Sequence, residues 1–523
     1  MLGAHVSIRR VTHRRAVLLL WLLLMAWTSA LYLRAALQPP PGRAFAGTFH
    51  WIDDFYNYAS YVQQAEDGAF LLRNKLLPPA ESRPELVNLE WWVVGRMSRL
   101  LGYRPFLAYR LFALVATLAL VAGVERWLRR AGVPDTHRLP AMVLVLLGGG
   151  LGGLLFEFTD LPVFRCLDLA VAVFPFLGIL ANPHFTAGTA LLVWALWAFS
   201  AVPGRRGVAL GTILGTTLGL VRPYDLALLG AIRALGLAAL EPPRRWVRAW
   251  APLLGLVPVL AYDLWLFFGS GQFASFRQGS TFPPWVDFVP ALGPAVALAL
   301  FSLRGAAPEP AARTARVHLW AWAAVAGAIV VARPGAVSLQ MLVGAGVPLL
   351  VLGAAGLARF PPARTAVFAL ALSSSAVVAT RVLLSDDPHW FVPRERMAAA
   401  RALRDLCAPG DLLLGPPDVA QFAIGLSRCH ALFAHPATPD YEARLSEARA
   451  FYGAWSPGER SAWLDQHGVT HLVLPGDAGE TPAGWLGADT PFRRAARVGT
   501  GAAGLGIYAR PRRGPGFGAN VQR

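Results

Sequence analysis

The chain has almost no lysine: Lys75 is the single one in 523 residues, and arginine carries the remaining positive charge. Charged residues of all kinds make up 15 %, against 55 % hydrophobic residues, and the mean hydropathy is +0.45. A soluble globule cannot cover that much apolar surface, so the composition excludes the soluble classes and predicts a polytopic membrane protein. Cysteine is scarce as well. Cys166, Cys407 and Cys429 are the only three, and their spacing excludes a zinc-type motif. No Asn-x-Ser/Thr sequon occurs, so nothing points to N-glycosylation. Arginine is what the chain has in quantity, and the formal net charge is +17. The arginines punctuate the apolar runs instead of forming a stripe, which fits the positive-inside rule and argues against a nucleic-acid partner. Abundant Ala, Gly and Pro suggest a GC-rich bacterial genome.

About eleven apolar runs are long enough to span a bilayer. They cover residues 16–37, 106–128, 139–156, 184–202, 207–221, 225–240, 250–268, 288–303, 317–333, 338–358 and 364–383. The run 166–181 is short and proline-interrupted and reads as re-entrant or interfacial. Gly148, Gly150 and Gly153 match GxGxxG, but no strand precedes them, so they read as close helix packing inside a span. Arg9, Arg10, Arg14 and Arg15 place the N-terminus in the cytoplasm. A cleaved signal peptide is the alternative, disfavoured because the first apolar run exceeds a usual signal core. Residues 38–105 then form a large outer loop, and the C-terminus also lies outside.

The long apolar runs stop after residue 383, and residues 384–509 read as a small extracytoplasmic α/β domain. A helix is predicted over 394–407, with strands at 411–414, 429–433, 469–474 and 504–509. A further helix over 457–467 opens on Ser456-Pro457-Gly458-Glu459, a capping box with proline at the first helical position. Residues 510–523 are Gly/Arg/Pro-rich and read as a disordered tail. The fold class is an all-α polytopic membrane bundle (1–383) with a small C-terminal α/β domain (384–509).

Polar residues with chemical potential gather on the predicted outer side. In the first loop, Asp53 and Asp54 open a surface-lying helix marked by Phe55, Tyr58, Val62 and Ala65 and stopped by Gly68. A second surface helix, 85–101, carries Trp91 and Trp92, which suit an interfacial depth. A lone N-cap explains one Asp better than two adjacent ones. Glu157 and Asp160 form a second acidic cluster or metal site; His184, Arg222, Tyr224 and Arg277 offer phosphate contacts, and Asp225 stands on the same side. The plainer readings are a helix-starting histidine, a turn salt bridge between Arg222 and Asp225, and acids that mark a water-facing exit. Asp263, inside a span, is expected to pair with a nearby cation, and Arg233 has no assigned role. Cys407 and Cys429 both follow the last span and flank neighbouring parallel strands, which predicts a disulfide; two buried free thiols are the alternative.

These features together resemble the C-type (GT-C) polytopic glycosyltransferases, which take sugars from polyprenyl-phosphate donors. The resemblance rests on Asp53-Asp54 in a first outer loop with two surface helices, on Glu157/Asp160, on Asn182-Pro183-His184-Phe185, on Arg222-Pro223-Tyr224-Asp225 and on the outer C-terminal domain. It implies an integral-membrane enzyme of the bacterial cytoplasmic membrane that transfers a hexosyl or pentosyl group with inversion. Asp53 or Asp54 would be the catalytic base, and His184, Arg222 and Tyr224 would bind the donor phosphate. The acceptor would be a cell-envelope glycan, lipid or protein, with membrane lipid around the bundle. The resemblance leaves a divalent metal, Mg or Mn, open. A transporter or flippase of lipid-linked sugars and a non-catalytic membrane scaffold are the other classes. A transporter predicts an internal repeat and paired mid-membrane charges, and neither is evident in the sequence.

Overall fold

The computed structural model describes residues 2–49, 51–270, 282–303, 309–333, 336–358, 364–387, 389–436, 438–476, 482–487, 489–500 and 504–511. Arg277 and residues 512–523 therefore lie outside the described residues. The chain forms two compact units. One comprises Met1–Pro39, Gly47–His50 and Leu86–Trp390; the other comprises Pro40–Ala46, Trp51–Glu85 and Phe391–Arg523.

The first unit is helical and membrane-spanning. Among the described residues, nine helices are long and apolar enough to cross a bilayer, or ten if one bent pair counts as a span. This is fewer than the eleven expected. Residues 207–221 do form a helix, Gly204–Val221, but it is not among the nine. Its opening arginines and its repeated glycines lower its hydropathy.

The run 139–156 is not the continuous span expected. It breaks into Asp135–Leu147 and Gly152–Phe158, bent by 51°. Breaking a helix frees backbone donors that lipid cannot satisfy, so they must find partners in the protein. Gly149 N–H donates to Ala371 O at 2.7 Å and Leu151 N–H to Pro290 O at 2.9 Å. Gly152 N–H donates to Asp168 Oδ2 at 3.1 Å, and Gly153 N–H donates to Ser374 Oγ at 3.0 Å. A Cβ on Gly152 would overlap the Asp168 carboxylate, so glycine is required there. The close packing expected of these glycines exists, but its purpose is the break.

The short run 166–181 is the centre of this unit. It folds into Leu167–Ala170 and Pro175–Ala181, and every residue from Cys166 to Ala190 is buried. Its irregular backbone is paid into hydrogen bonds: Gly344 N–H reaches Ala172 O and Gly346 N–H reaches Val173 O, both at 2.9 Å. Non-helical backbone within a membrane protein is tolerated where protein surrounds it in this way.

The second unit is an α/β domain. Strands β1 (Arg43–Phe45) and β2 (Phe391–Pro393) form a small antiparallel pair that the sequence reading missed. Five strands make the main sheet: β3 (Leu412–Leu414), β4 (His430–Ala431), β5 (His471–Pro475), β6 (Arg493–Val498) and β7 (Leu505–Ala509). Their order is β4-β3-β5-β7-β6, with β4, β3 and β5 parallel and the β5–β7 and β7–β6 pairs antiparallel. β6 was not foreseen, because Arg493, Arg494 and Arg497 hide any apolar alternation. Side chains alternate between the two faces of a strand. Leu413, Ala431, Val473 and Ile507 pack on one face, while Leu412, Leu414, Leu472, Leu474 and Tyr508 pack on the other.

The first face is covered by helices Arg394–Leu406, Pro417–Leu426 and Ile52–Glu66. The first-loop helix thus belongs to the core of this domain. Tyr56 O–H donates to Ala46 O at 2.9 Å, and its ring lies 4.9 Å from Phe422. The helices approach so closely that a Cβ on Gly425 would lie 2.8 Å from the Tyr56 backbone oxygen. Cys407 and Cys429 are disulfide-bonded, with Cα atoms 5.4 Å apart. The capping box forms as the spacing predicted: Ser456 Oγ accepts from Glu459 N–H, and Glu459 Oε2 accepts from Ser456 N–H at 2.7 Å.

Candidate active site

In the second unit, Asp53 and Asp54 lie in the first turn of helix Ile52–Glu66. The residue before that helix, Trp51, has φ +33°, a left-handed conformation that costs a non-glycine residue energy and often marks functional sites. Asp53 does not act as an N-cap. Its backbone carbonyl accepts from Gln421 Nε2 at 2.8 Å, which ties this helix to Pro417–Leu426. Asp54 Oδ1 lies 3.5 Å from Nε2 of the buried His435. Desolvation raises the Asp53 carboxyl above its ordinary value; His435 opposes this and the Asp54 charge adds to it. Asp53 is nevertheless an exposed residue, and that exposure limits the shift. His435, just beyond β4, was not singled out from the sequence. Its only cue is its place past the carboxyl end of a parallel strand, where α/β domains bind ligands.

In the first unit the predicted phosphate contacts form a buried network. Helix Pro183–Ala201 starts at His184's neighbour, and Asn182 Oδ1 caps it by accepting from His184 N–H at 3.1 Å. His184 Nδ1 lies 2.6 Å from Oε1 of Glu90, a residue the sequence reading passed over. Glu90 is buried in helix Leu89–Leu100, and desolvation lifts its carboxyl well above the ordinary value, against the nearby Arg222 charge. A Glu90 that keeps its proton donates it to Nδ1. Trp91 is wholly buried, not interfacial as expected; it stacks on Tyr109 and on His184.

Arg222 is fully buried. Nε donates to Asp225 Oδ2 at 2.8 Å and Nη2 to Gln340 O at 2.8 Å. Its guanidinium carbon sits 5.0 Å from the Phe185 ring centre and 6.0 Å from that of Tyr224. A Cβ on Gly188 would overlap the Arg222 stem, so that glycine makes room for it. Two polar atoms in this network are buried with no hydrogen-bond partner among the described residues: Glu90 Oε2 and Arg222 Nη1. Buried orphan polar atoms are costly and call for a ligand or an ordered water.

Glu157 and Asp160 are exposed, and Glu157 lies 3.9 Å from Arg381. Besides Glu90 and Asp225, the buried acids of this unit include Asp168, clasping the helix break, and Asp287, ion-paired with Arg165 at 2.8 Å. Asp263 does not meet the cation expected; its Oδ2 is buried without a partner among the described residues. Arg233 Nη1 lies 2.7 Å from His318 Nε2, which gives it a structural partner. One His/Cys/Asp/Glu trio among the described residues is drawn together like metal ligands: Cys407, Cys429 and His471. Its two sulfurs are spent in the disulfide.

No protein-family model and no curated protein matches the sequence. Solved structures do. The mycobacterial arabinofuranosyltransferase AftD aligns with a TM-score of 0.55 at 20 % identity, over 97 % of this chain and 40 % of that one. ArnT from Cupriavidus metallidurans, solved with undecaprenyl phosphate, aligns with a TM-score of 0.50 at 14 % identity, over 94 % of this chain and 99 % of that one. This is a multi-pass membrane protein with an attached α/β domain. Its fold is that of the GT-C glycosyltransferases. The chain spans two-fifths of the length of the arabinofuranosyltransferase it matches.

Proposed function

We propose that the chain is an integral-membrane glycosyltransferase. It moves a sugar from a polyprenyl-phosphate donor to a cell-envelope acceptor on the outer face of the cytoplasmic membrane. The observation that carries the reading is the Asp53–Asp54 pair: a carboxyl raised by desolvation and a like charge, with His435 beside it. A raised carboxylate is a stronger base and can take the proton of an acceptor hydroxyl. That oxygen attacks the anomeric carbon, the bond from this carbon to the phosphate oxygen breaks, and the configuration inverts. The leaving phosphate is anionic, and Arg222 Nη1, which has no hydrogen-bond partner among the described residues, is assigned to it with His184 and Tyr224. The GT-C fold and the undecaprenyl phosphate bound to ArnT support a lipid-linked donor. Transfer of labelled sugar from a polyprenyl-phosphate donor by purified protein tests the reading. Asp53→Asn should remove it, and wild-type turnover in both Asp53→Asn and Asp54→Asn would reject this mechanism.

One observation favours a second reading, transport of lipid-linked sugar. The span is broken at Gly148–Leu151, as the discontinuous helices at transporter binding sites are, and the start of its second half donates to a buried carboxylate, Asp168. Flipping of a labelled lipid-linked sugar in proteoliposomes, lost in Asp168→Asn and kept in Asp53→Asn, would support transport over transfer.

A further inference from the structure

A cleft of about 330 Å³ lies wholly within the second unit. Its floor is Leu414 at the end of β3 with Leu432 and Phe433 just past β4. These are the carboxyl ends of neighbouring parallel strands, where α/β sheets place ligands. Its walls come from helices Tyr441–Tyr452 and Pro457–Gln466, which supply Arg444, Glu447 and Trp463.

The wall chemistry is specific. Trp463 is partly exposed, and the His467 ring lies tilted against it at 4.2 Å with Nδ1 2.9 Å from the Trp463 carbonyl. Arg444 is aimed by its Nη1 donating to Leu432 O at 3.1 Å, and its Nη2 lies 3.5 Å from Glu81. Glu81, Asp440 and Glu447 stand exposed on the rim. Three carboxylates against one arginine repel an anionic ligand, and the polar rim suits no lipid tail. An aromatic face with carboxylate and guanidinium groups beside it suits a neutral polyol. Its C–H face packs on the ring, and its adjacent hydroxyls donate to carboxylates and accept from the guanidinium.

The cleft also has a direction. Phe433 in its floor stacks on Tyr441 with ring centres 5.1 Å apart, and Tyr441 opens the helix that carries Arg444 and Glu447. His435, two residues beyond Phe433, has its Nε2 3.5 Å from Asp54 Oδ1, so the acidic pair adjoins that end of the cleft. Glu447 lies six positions on from Tyr441, roughly 9 Å along a helix, which leaves length for a short oligosaccharide.

We propose that this cleft is an acceptor subsite that holds neutral sugar units of a glycan and directs the end of that glycan toward Asp53. The inference rests on the glycosyl-transfer reading and names its acceptor class as a saccharide. The test is calorimetric or saturation-transfer NMR titration of the full-length protein in detergent with neutral arabino-, manno- and gluco-oligosaccharides. At least one probe should bind, and Trp463→Ala should weaken it by about tenfold or more, as loss of a buried aromatic anchor does. Trp463 also packs on Phe451 and Trp455, so Glu447→Gln, at an exposed position, provides a variant that keeps the fold and should also weaken binding. Failure of every probe to bind, or wild-type affinity in both variants, would overturn the subsite. If binding needs Trp463 while Asp53→Asn still transfers sugar, the cleft stands and the catalytic reading falls. If Asp53→Asn abolishes transfer and no probe binds, the subsite alone falls.

Discussion

The two helices of the first loop begin alike and serve differently. Each follows a non-glycine residue with positive φ, Trp51 at +33° and Asn88 at +46°. Each places an acid two residues later, Asp53 and Glu90. A histidine stands near each: His435 is 3.5 Å from Asp54, the neighbour of Asp53, and His184 is 2.6 Å from Glu90. Asp53, however, is exposed on the second unit, while Glu90 is buried in the first. Desolvation raises both carboxyls, slightly relieved by solvent in one case and nearly unrelieved in the other. The same local grammar gives an exposed acid at one helix and a buried clamp at the other. Surroundings decide between them, not the cap or its spacing.

If that contrast holds, the two regions must break in opposite ways. Asp53→Asn should lower turnover by roughly 10²–10⁴ while the melting temperature stays at the wild-type value. Arg222→Leu, in the Glu90 network, should do the reverse first. It leaves Asp225 buried without its cation, and removing one partner of a buried pair costs about 3–5 kcal/mol. Thermal melting of the purified protein should show that loss before any assay is run. A stable Arg222→Leu or an unstable Asp53→Asn would erase the distinction.

Gly188→Val sharpens the same contrast without touching a charge. The added side chain would enter the space of the Arg222 stem, and overpacking a core typically costs 1–3 kcal/mol. Melting of this variant should fall, and its affinity for the lipid-linked donor should weaken. A change of that size at Gly458, where nothing lies within 4 Å of an added Cβ, should leave both unchanged.

How far the sequence foretold these regions depends on what kind of signal each carries. Apolar length announces a membrane bundle, because spans must be long and uncharged whatever they touch. The α/β domain was legible for strands with uninterrupted apolar cores, such as His471–Pro475, and illegible for Arg493–Val498, whose arginines mask the period. Asp53–Asp54 was visible because paired acids are rare among aromatics near a membrane. Glu90 was not, since one acid in the first turn of a helix reads as ordinary capping chemistry. Only its burial and its contact with a histidine nearly a hundred residues away set it apart. The same holds for the grouping of Trp51–Glu85 with the C-terminal residues, which depends on Tyr56 and Gly425 meeting across a distance that no local pattern encodes.

Lys75 tests what holds the first of these regions in place. Its Nζ donates to Gln63 Oε1 at 2.6 Å on the Asp53 helix, and to Ser427 O at 2.7 Å and Ile424 O at 3.1 Å at the end of Pro417–Leu426. Burial pushes its pKa from 10.5 down to about 7, with Asp67 opposing and Arg428 assisting. Between those two values the unfolded chain holds a proton that the folded chain does not. Stability should therefore rise with pH from about 7 toward 10.5 and be flat below that window with respect to this group. Lys75→Met should flatten the rise. Melting temperatures taken across that range would show it, and an unchanged slope would mean that the lysine does not titrate there.

The smallest effect should come from Asp54. Its charge is one of the forces that raise the Asp53 carboxyl, after desolvation, while His435 works the other way. The acid limb of kcat/KM reports the ionisation of the essential base in the free enzyme. Asp54→Asn keeps the shape and removes the like charge, so the acid limb should move to lower pH. His435→Gln removes a group that favours ionisation, so the limb should move to higher pH. The two acids are neighbours, and the limb belongs to the pair rather than to one carboxyl. Both shifts should shrink in high salt, because the two acids are open to solvent and exposed charges are screened within about 10 Å at 0.1 M. Stability should carry the matching sign. A raised Asp holds a proton in the folded state that the unfolded state has lost, so folding weakens as pH climbs from the ordinary Asp value to the raised one. Asp54→Asn should lessen that fall. A limb that ignores both substitutions would mean that the base lies elsewhere. Asp53 would then be the surface counterpart of Glu90, an acid that opens a helix and takes no proton from an acceptor.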